Sequence, residues 1–311
     1  MLFAAEPTAL ETFAQYTVLG LTTGALFALI ALGYTMVYGI VELINFAHGD
    51  LFMLGAFLAL TLLGLVGTDT FTGSVLGIAL CLVACPLFCA ALNVGVDHVV
   101  YRPLRTAPRL APLVSAIGVS FVFMNVGLFW GGPMDVNFPN LLPDANLLGE
   151  GSAVRVTAKD LMVVGVTVPL MVALTLFVKF TRLGRAMRAT AQDPTAAKLM
   201  GIDTDRVIGA TFALGGGLGG AASVVYGLYV NTVSYQMGFQ NGLYAFTAAV
   251  LGGIGSIPGA VLGGLLIGLV RAWGSAYVGE RWSGALVFVV LIVVLVFRPT
   301  GLLGSRTREK V

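Results

Sequence analysis

The chain has 311 residues, 58% of them hydrophobic and only 10% charged, with a formal net charge of +2 and a mean hydropathy of +0.94. Soluble proteins carry about 25% charged residues, so this composition excludes a soluble enzyme and a nucleic-acid binder and indicates a polytopic helical membrane protein. Runs such as Gly284–Phe297 do not alternate between apolar and polar residues, which excludes an outer-membrane barrel.

Cutting the chain at its polar breaks leaves apolar runs near 16–40, 43–66, 72–95, 110–130, 160–178, 207–230, 259–276 and 284–297, with a shorter one at 243–254. Most reach the roughly 20 residues that a spanning helix needs. The fold class is therefore all-α, a single transmembrane domain over residues 1–311 with about eight to nine crossings. Glu6 and Glu11 precede the first run without any Lys or Arg, so the basic start of a secretory signal is missing and residues 16–40 are expected to be a retained span.

Between the first two runs, Val41–Gly55 concentrates Glu42, Asn45, His48 and Asp50. Ionisable groups inside apolar segments are expensive and call for a reason. One reading is structural, with Asn45 capping the next helix and Asp50 near its positive end. The others are a place on a translocation path and proton transfer through the carboxylate and imidazole. Cys81, Cys85 and Cys89 share one helix face, and with no His or acidic residue in that run they are expected to be small residues at a helix contact.

Thirteen of the 17 basic residues fall in three places: Arg102, Arg105 and Arg109; Lys179, Arg182, Arg185, Arg188, Lys198 and Arg206; and Arg298, Arg306, Arg308 and Lys310. The positive-inside bias puts all three on the cytoplasmic side. The segment 131–159, with Asp135, Asp144 and Glu150 against Arg155 and Lys159, becomes the external loop. The N-terminus is then periplasmic and the C-terminus cytoplasmic. Parity requires Ala245–Gly264 to be two helices separated by a Gly/Pro break at Gly255–Gly259, and the sequence leaves open whether the first piece crosses or re-enters. Small-xxx-small spacings at Gly216/Gly220, Gly255/Gly259/Gly263 and Gly264/Gly268 predict close helix packing.

No nucleophile motif, no metal-ligand cluster and no GxxxxGK[ST] phosphate loop occurs, so the chain is expected to be non-catalytic and to bind no cofactor of its own. The cytoplasmic segment 179–206 is the most elaborate polar stretch. Within it Asp193 is placed to cap a short helix that starts at Pro194 and closes at Gly201. Such a helix either lies along the membrane or presents Ala196, Ala197, Leu199 and Met200 to a partner's groove.

Thr195–Gly201 (TAAKLMG) resembles the EAAxxxG motif of bacterial ATP-binding-cassette (ABC) importer permeases, with Thr195 replacing the Glu. Ala31–Ala56, Tyr101–Arg105 (YRPLR), Leu113–Gly118 (LVSAIG), Gly201–Val207 (GIDTDRV) and Phe246–Leu266 together resemble a Liv-type permease of the high-affinity branched-chain amino acid ABC transporters. The resemblance covers nearly the whole chain, least in 131–159.

That resemblance implies an inner-membrane importer subunit working by ATP-driven alternating access. It would pair with a second homologous permease, two cytoplasmic ATPase subunits carrying ATP and Mg, and a periplasmic binding protein that delivers leucine, isoleucine or valine. Asp193, Pro194, Thr195, Ala196, Ala197 and Gly201 would form the helix that couples to an ATPase. The translocation path would involve Asn45, His48 and the break at Gly252, Gly253, Gly255, Pro258 and Gly259. The alternatives are another cargo, such as urea, short amides or other amino acids, and a passive channel or ion-coupled carrier.

Overall fold

The structure is a computed structural model that describes residues 8–43, 45–67, 70–105, 107–108, 110–149 and 152–304. Arg109, Glu6, Glu150, Arg306, Arg308 and Lys310, named above for charge, lie outside the described residues. Eleven helices are described: α1 Ala9–Val41, α2 Ala47–Val66, α3 Phe71–Leu104, α4 Leu110–Gly131, α5 Ala158–Phe180, α6 Arg182–Gln192, α7 Pro194–Leu199, α8 Thr204–Val230, α9 Met237–Gly252, α10 Ile257–Tyr277 and α11 Glu280–Phe297. Two short strands, β1 Val136–Asn137 and β2 Thr232–Val233, pair antiparallel.

Among the described residues, eight helices are long and apolar enough to cross a membrane, all of those named except α6, α7 and α9. The first starts earlier than its apolar run suggests. A capping box closes its amino end, with Thr8 N–H donating to Glu11 Oε2 at 2.7 Å and Glu11 N–H to Thr8 Oγ1 at 3.3 Å, so the helix begins at Ala9, ahead of the apolar run. Glu42, in the left-handed conformation with φ 54°, closes α1 by donating its N–H to the Tyr38 carbonyl at 2.8 Å.

Burial separates a central group from a periphery. In α1 and α8, 78% and 72% of the most apolar stretch is buried, whereas in α11 the share is 11%. Glycine sets how closely the central helices approach. α1 and α10 run antiparallel through Gly20, Gly24 and Ala28 against Gly264, Leu265 and Gly268, and a Cβ on Gly24 would stand 2.8 Å from the Leu265 Cα. Gly216 and Gly220 of α8 lie on the Cys89 and Cys85 carbonyls of α3. The three cysteines are fully buried, and two of their thiols reach backbone carbonyls of α2: Cys81 Sγ is 3.6 Å from Ala59 O and Cys89 Sγ 3.3 Å from Leu51 O. The cysteines thus act as compact contact residues, as their spacing suggested.

Basic residues gather at one end of the bundle. There α3 ends, α4 and α8 begin, and α6 and α7 sit; the strap after α11 also returns there, donating Leu302 and Leu303 N–H to the Leu251 and Gly252 carbonyls at 2.9 Å each. The β1–β2 ribbon marks the opposite end, where Phe138 packs its ring on Gly227. The short run near 243–254 lies within the 16-residue helix α9, Met237–Gly252, which is not among the eight helices long and apolar enough to cross. A turn at Ser234–Gln236 follows β2, and α9 then starts beside the first turn of α2 and ends near Gly255, which approaches Gly39 of α1.

Candidate functional site

α2 does not begin at the end of the bundle. Its first turn carries Asp50, whose Oδ2 accepts a hydrogen bond from Ser120 Oγ, midway along α4. His48 lies against Gly33 of α1 and Gly219, midway along α8. The chain between α1 and α2 therefore folds back to mid-depth before the helix starts. Non-helical backbone at that depth is tolerated where protein covers it.

Asn45 does that covering work rather than capping. The residue at the cap position of α2 is Phe46, and it makes no side-chain cap bond, so the expectation for Asn45 is corrected. Its side chain instead joins a buried chain of hydrogen bonds. Tyr101 Oη donates to Asn45 Oδ1 at 2.9 Å, Asn45 Nδ2 to Asn93 Oδ1 at 3.1 Å, and Asn93 Nδ2 to the Phe212 carbonyl at 2.7 Å. A buried amide must satisfy both ends, and the partners here come from α3 and α8, which hold the re-entering loop from two sides. Asn93 was legible as the next member of the 81, 85, 89 series; Tyr101 sits on a π-helical turn, Asp97–Tyr101, that no sequence pattern announced.

His48 is 1% exposed. Its ring meets Tyr34 edge-on, with centroids 4.7 Å apart. No carboxylate pairs with it, so the carboxylate–imidazole shuttle considered from the sequence has no geometry here. Glu42 takes the left-handed turn that ends α1 and lines a cleft with Arg105, Lys198 and Asp205.

The broken-helix residues occupy a different position from Asn45 and His48. Gly253 and Gly255 take positive φ, 104° and 88°. Gly252 and Gly259 form a backbone contact between α9 and α10, Ser256 Oγ accepts from Gly259 N at 3.2 Å, and Pro258 lies in the first turn of α10. Gly255 lines a cavity of about 90 Å³ shared with Gly39, Met187 and Arg188. Asn45 and Ile254 meet across a cavity of about 10 Å³ that Tyr34 and Phe246 also line.

At the basic end, the polar segment holds two helices where one was expected. α6 begins at the Thr181 cap, whose Oγ1 accepts from Gly184 N at 3.0 Å, and buries Met187; Arg188 donates back to the Val178 carbonyl. Asp193 then caps α7, with Oδ1 accepting from the Thr195 and Ala196 N–H groups at 2.9 Å each, and Pro194 occupies the first turn. Gly201, at φ 82°, ends it, where the chain needs a left-handed residue. Of the apolar residues expected to face a partner, Leu199 and Met200 are 84% and 82% exposed, whereas Ala197 is 4% exposed and faces inward. Ala197 is thus corrected from a presented residue to a packing one, while Thr195 and Ala196 remain exposed.

α7 leads directly into α8, and the start of α8 is clamped. Asp205 pairs with Arg102 at 2.9 Å and with Arg105, and Arg105 pairs in turn with Asp97 at 2.8 Å. The YRPLR and GIDTDRV segments, about a hundred residues apart in sequence, thus meet in one ion-pair group. Next to it a cleft of about 580 Å³ runs between Glu42, Arg105, Lys198 and Asp205.

The opposite end has its own polar cleft, about 520 Å³, lined by residues including Gln15, Asp144, Arg155, Lys159 and Tyr229. Lys159 bridges Asp144 at 2.8 Å and Asn231 Oδ1 at 2.5 Å. The Lys159 ammonium first, and then Asn140, hold the Asp144 carboxyl below its usual value. Among the described residues, no group of three or more His, Cys, Asp or Glu side chains is arranged to hold a metal ion.

Residues 16–295 match the family described as "Branched-chain amino acid transport system / permease component". The chain is 43% identical over 304 residues to the high-affinity branched-chain amino acid transport system permease protein BraD of Pseudomonas aeruginosa, and 42% identical over 304 residues to LivH of Escherichia coli K12; each alignment covers 96% of this chain and 98% of the relative. A probable branched-chain amino acid transport permease protein LivH of Methanocaldococcus jannaschii is 26% identical, over 90% of this chain and 89% of that protein.

Proposed function

The chain belongs to the branched-chain amino acid transport system permease family, and from that membership we propose that it is the membrane-spanning subunit of an ABC importer for leucine, isoleucine and valine. The observation that carries the reading is the near-full-length identity to BraD and LivH, which are named as permeases of such systems. The chain is a multi-pass membrane protein and a non-catalytic transport subunit.

In this reading the basic end faces the cytoplasm, by the positive-inside bias, so the N-terminus is periplasmic, the C-terminus cytoplasmic, and the membrane is the bacterial inner membrane. α7, carrying Asp193, Pro194, Thr195, Ala196, Ala197 and Gly201, couples to a cytoplasmic ATPase. Its capped geometry and the two exposed apolar side chains that follow support that role. A second homologous permease and a second ATPase complete the transporter, with ATP and Mg held by the ATPases. A periplasmic binding protein delivers cargo to the end that bears the β1–β2 ribbon and the Asp144–Lys159 cleft.

Transport follows by alternating access. The ATPases move against each other, α7 carries that movement to α8, and the helices around the central polar cluster open to one side and then the other. Asn45 and His48 lie where such a path would run. Gly252, Gly253, Gly255, Pro258 and Gly259 form the glycine-rich corner between α9 and α10, in this reading at its cytoplasmic end.

The test is uptake of labelled leucine into proteoliposomes that contain this chain with its partner permease, the ATPases and the binding protein. Uptake that requires ATP and the binding protein is the expected result. Equal uptake by this chain alone, without ATP or ATPases, overturns the importer reading in favour of a channel or carrier.

A further inference from the structure

Asp50 is a buried carboxyl at the centre of the bundle with an oxygen left unpartnered. The residue is 0% exposed and its Oδ2 accepts from Ser120, while Oδ1 has no hydrogen-bond partner among the described residues. None of the ion pairs among the described residues includes it. A carboxylate at membrane depth is costly unless something compensates it, and a single hydroxyl donor compensates little.

The free oxygen is aimed at a particular place. A Cβ built on Gly238, in the first turn of α9, would stand 2.8 Å from Asp50 Oδ1. Two helices therefore begin side by side at mid-depth, α2 with Asp50 in its own first turn and α9 facing it. No side chain caps either amino end. Such ends carry unpaired N–H groups and a partial positive charge, and they stabilise carboxylates. The two first turns approach closely at glycine, with a Cβ on Gly242 coming 2.8 Å from the Gly49 Cα. Tyr34 borders the same contact, its hydroxyl 3.1 Å from that Cβ position.

We propose that Asp50 and the amino ends of α2 and α9 form the binding site for the zwitterionic backbone of the transported amino acid, Asp50 taking the ammonium and the helix ends the carboxylate. The inference rests on the importer reading above and specifies its cargo chemistry. In the closed arrangement seen here, the Asp50 carboxylate itself sits at the α9 end. When the helices part and an α-amino acid enters, the cargo carboxylate takes that place and the ammonium supplies the counter-charge that Asp50 lacks. Urea and simple amides carry neither full charge and gain neither interaction. Ser120 is the positioning residue that holds the Asp50 side chain.

The experiment uses the complete transporter in proteoliposomes with leucine-loaded binding protein, comparing the unsubstituted chain with Asp50→Asn. The amide keeps the size and the Ser120 hydrogen bond and removes the charge. The quantity read is leucine imported per ATP hydrolysed, which a loss of folding or of ATPase docking would not alter selectively. Truncating one partner of a buried charge pair costs enough to lower that ratio by roughly 30-fold or more. A ratio within about twofold of the unsubstituted value, including a parallel loss of both activities, overturns the proposal. Failure of Asp50→Asn to assemble also overturns it, because it would make the carboxylate structural. If the unsubstituted complex imports no leucine, the importer reading itself fails, which is a distinct result.

Discussion

Leu199 and Met200 allow the coupling assignment to be tested without disturbing the permease. Both side chains are more than four-fifths exposed and lie at the end of a six-residue helix that projects from the bundle. Burying an exposed Leu or Met side chain is worth about 1.5–3 kcal/mol, so the pair is worth roughly 3–6 kcal/mol if an ATPase groove covers them both. At about 1.4 kcal/mol per tenfold, Leu199→Ala with Met200→Ala should weaken ATPase binding by roughly a hundredfold or more. The permease should be unaffected within about 0.5 kcal/mol, as expected for exposed positions. The assay is titration of purified ATPase onto the immobilised permease in detergent, with thermal unfolding as the control. Unchanged affinity in the double variant would refute the docking of α7. Ala197→Asp and Gly201→Arg are poorer probes. Ala197 is buried and Gly201 takes φ 82°, so each would distort α7 itself and lose binding for the wrong reason.

Further outcomes follow from the same geometry. Tyr101→Phe removes the donor to a buried Asn45 oxygen and should destabilise the permease by about 1–3 kcal/mol, read as a lower unfolding midpoint in detergent; no shift would mean the buried chain contributes nothing. Gly268→Leu would drive a side chain into the backbone of Gly20 and Gly24, whereas Gly118→Leu meets nothing within 4 Å; the first should abolish recovery of folded protein and the second should not, and equal recovery would refute the α1–α10 contact. Because the Asp144 carboxyl is held below its ordinary value of 3.8, its contact with Lys159 is present at neutral pH and is lost as pH falls through the lowered value. Proteolytic protection of the 132–157 loop should drop there, and Asp144→Asn should remove that pH dependence. For orientation, cysteines at Ala145 and Thr195, both exposed, should react with an impermeant reagent from outside and from inside respectively. The native cysteines are buried and silent. Reversed labelling would invert the topology.

Much of this architecture was legible in the sequence, because a bilayer imposes length and polarity so strictly. The apolar runs, the three basic clusters and the glycine spacings each correspond to a physical requirement, and the spans and contacts follow from them. The Asp193–Pro194–Gly201 helix was legible for a similar reason, since a cap, a first-turn proline and a left-handed closing residue act locally. What escaped was set by tertiary context. The apolar run 43–66 gave no sign that its chain first turns back to mid-depth, because Asn45 is held by Asn93 and Tyr101, far away in sequence. Asn45 reads equally well as a cap or as a buried linker until its partners are known. Asp50 reads as an ordinary first-turn acid, and its isolation becomes evident only when α4 and α9 close around it. α6 was missed because alternating Arg and small residues resemble a solvated loop until Met187 finds a buried place against the bundle.

The central claim, that this permease works as part of an ATP-driven amino acid importer, is tested most directly by purifying the chain in mild detergent. The co-purifying subunits are identified, and ATP hydrolysis is measured with empty and with leucine-loaded binding protein. The account predicts recovery of a second permease with ATPase subunits, and hydrolysis stimulated by the loaded binding protein. A chain that purifies intact and alone, with no associated ATP hydrolysis, would contradict it.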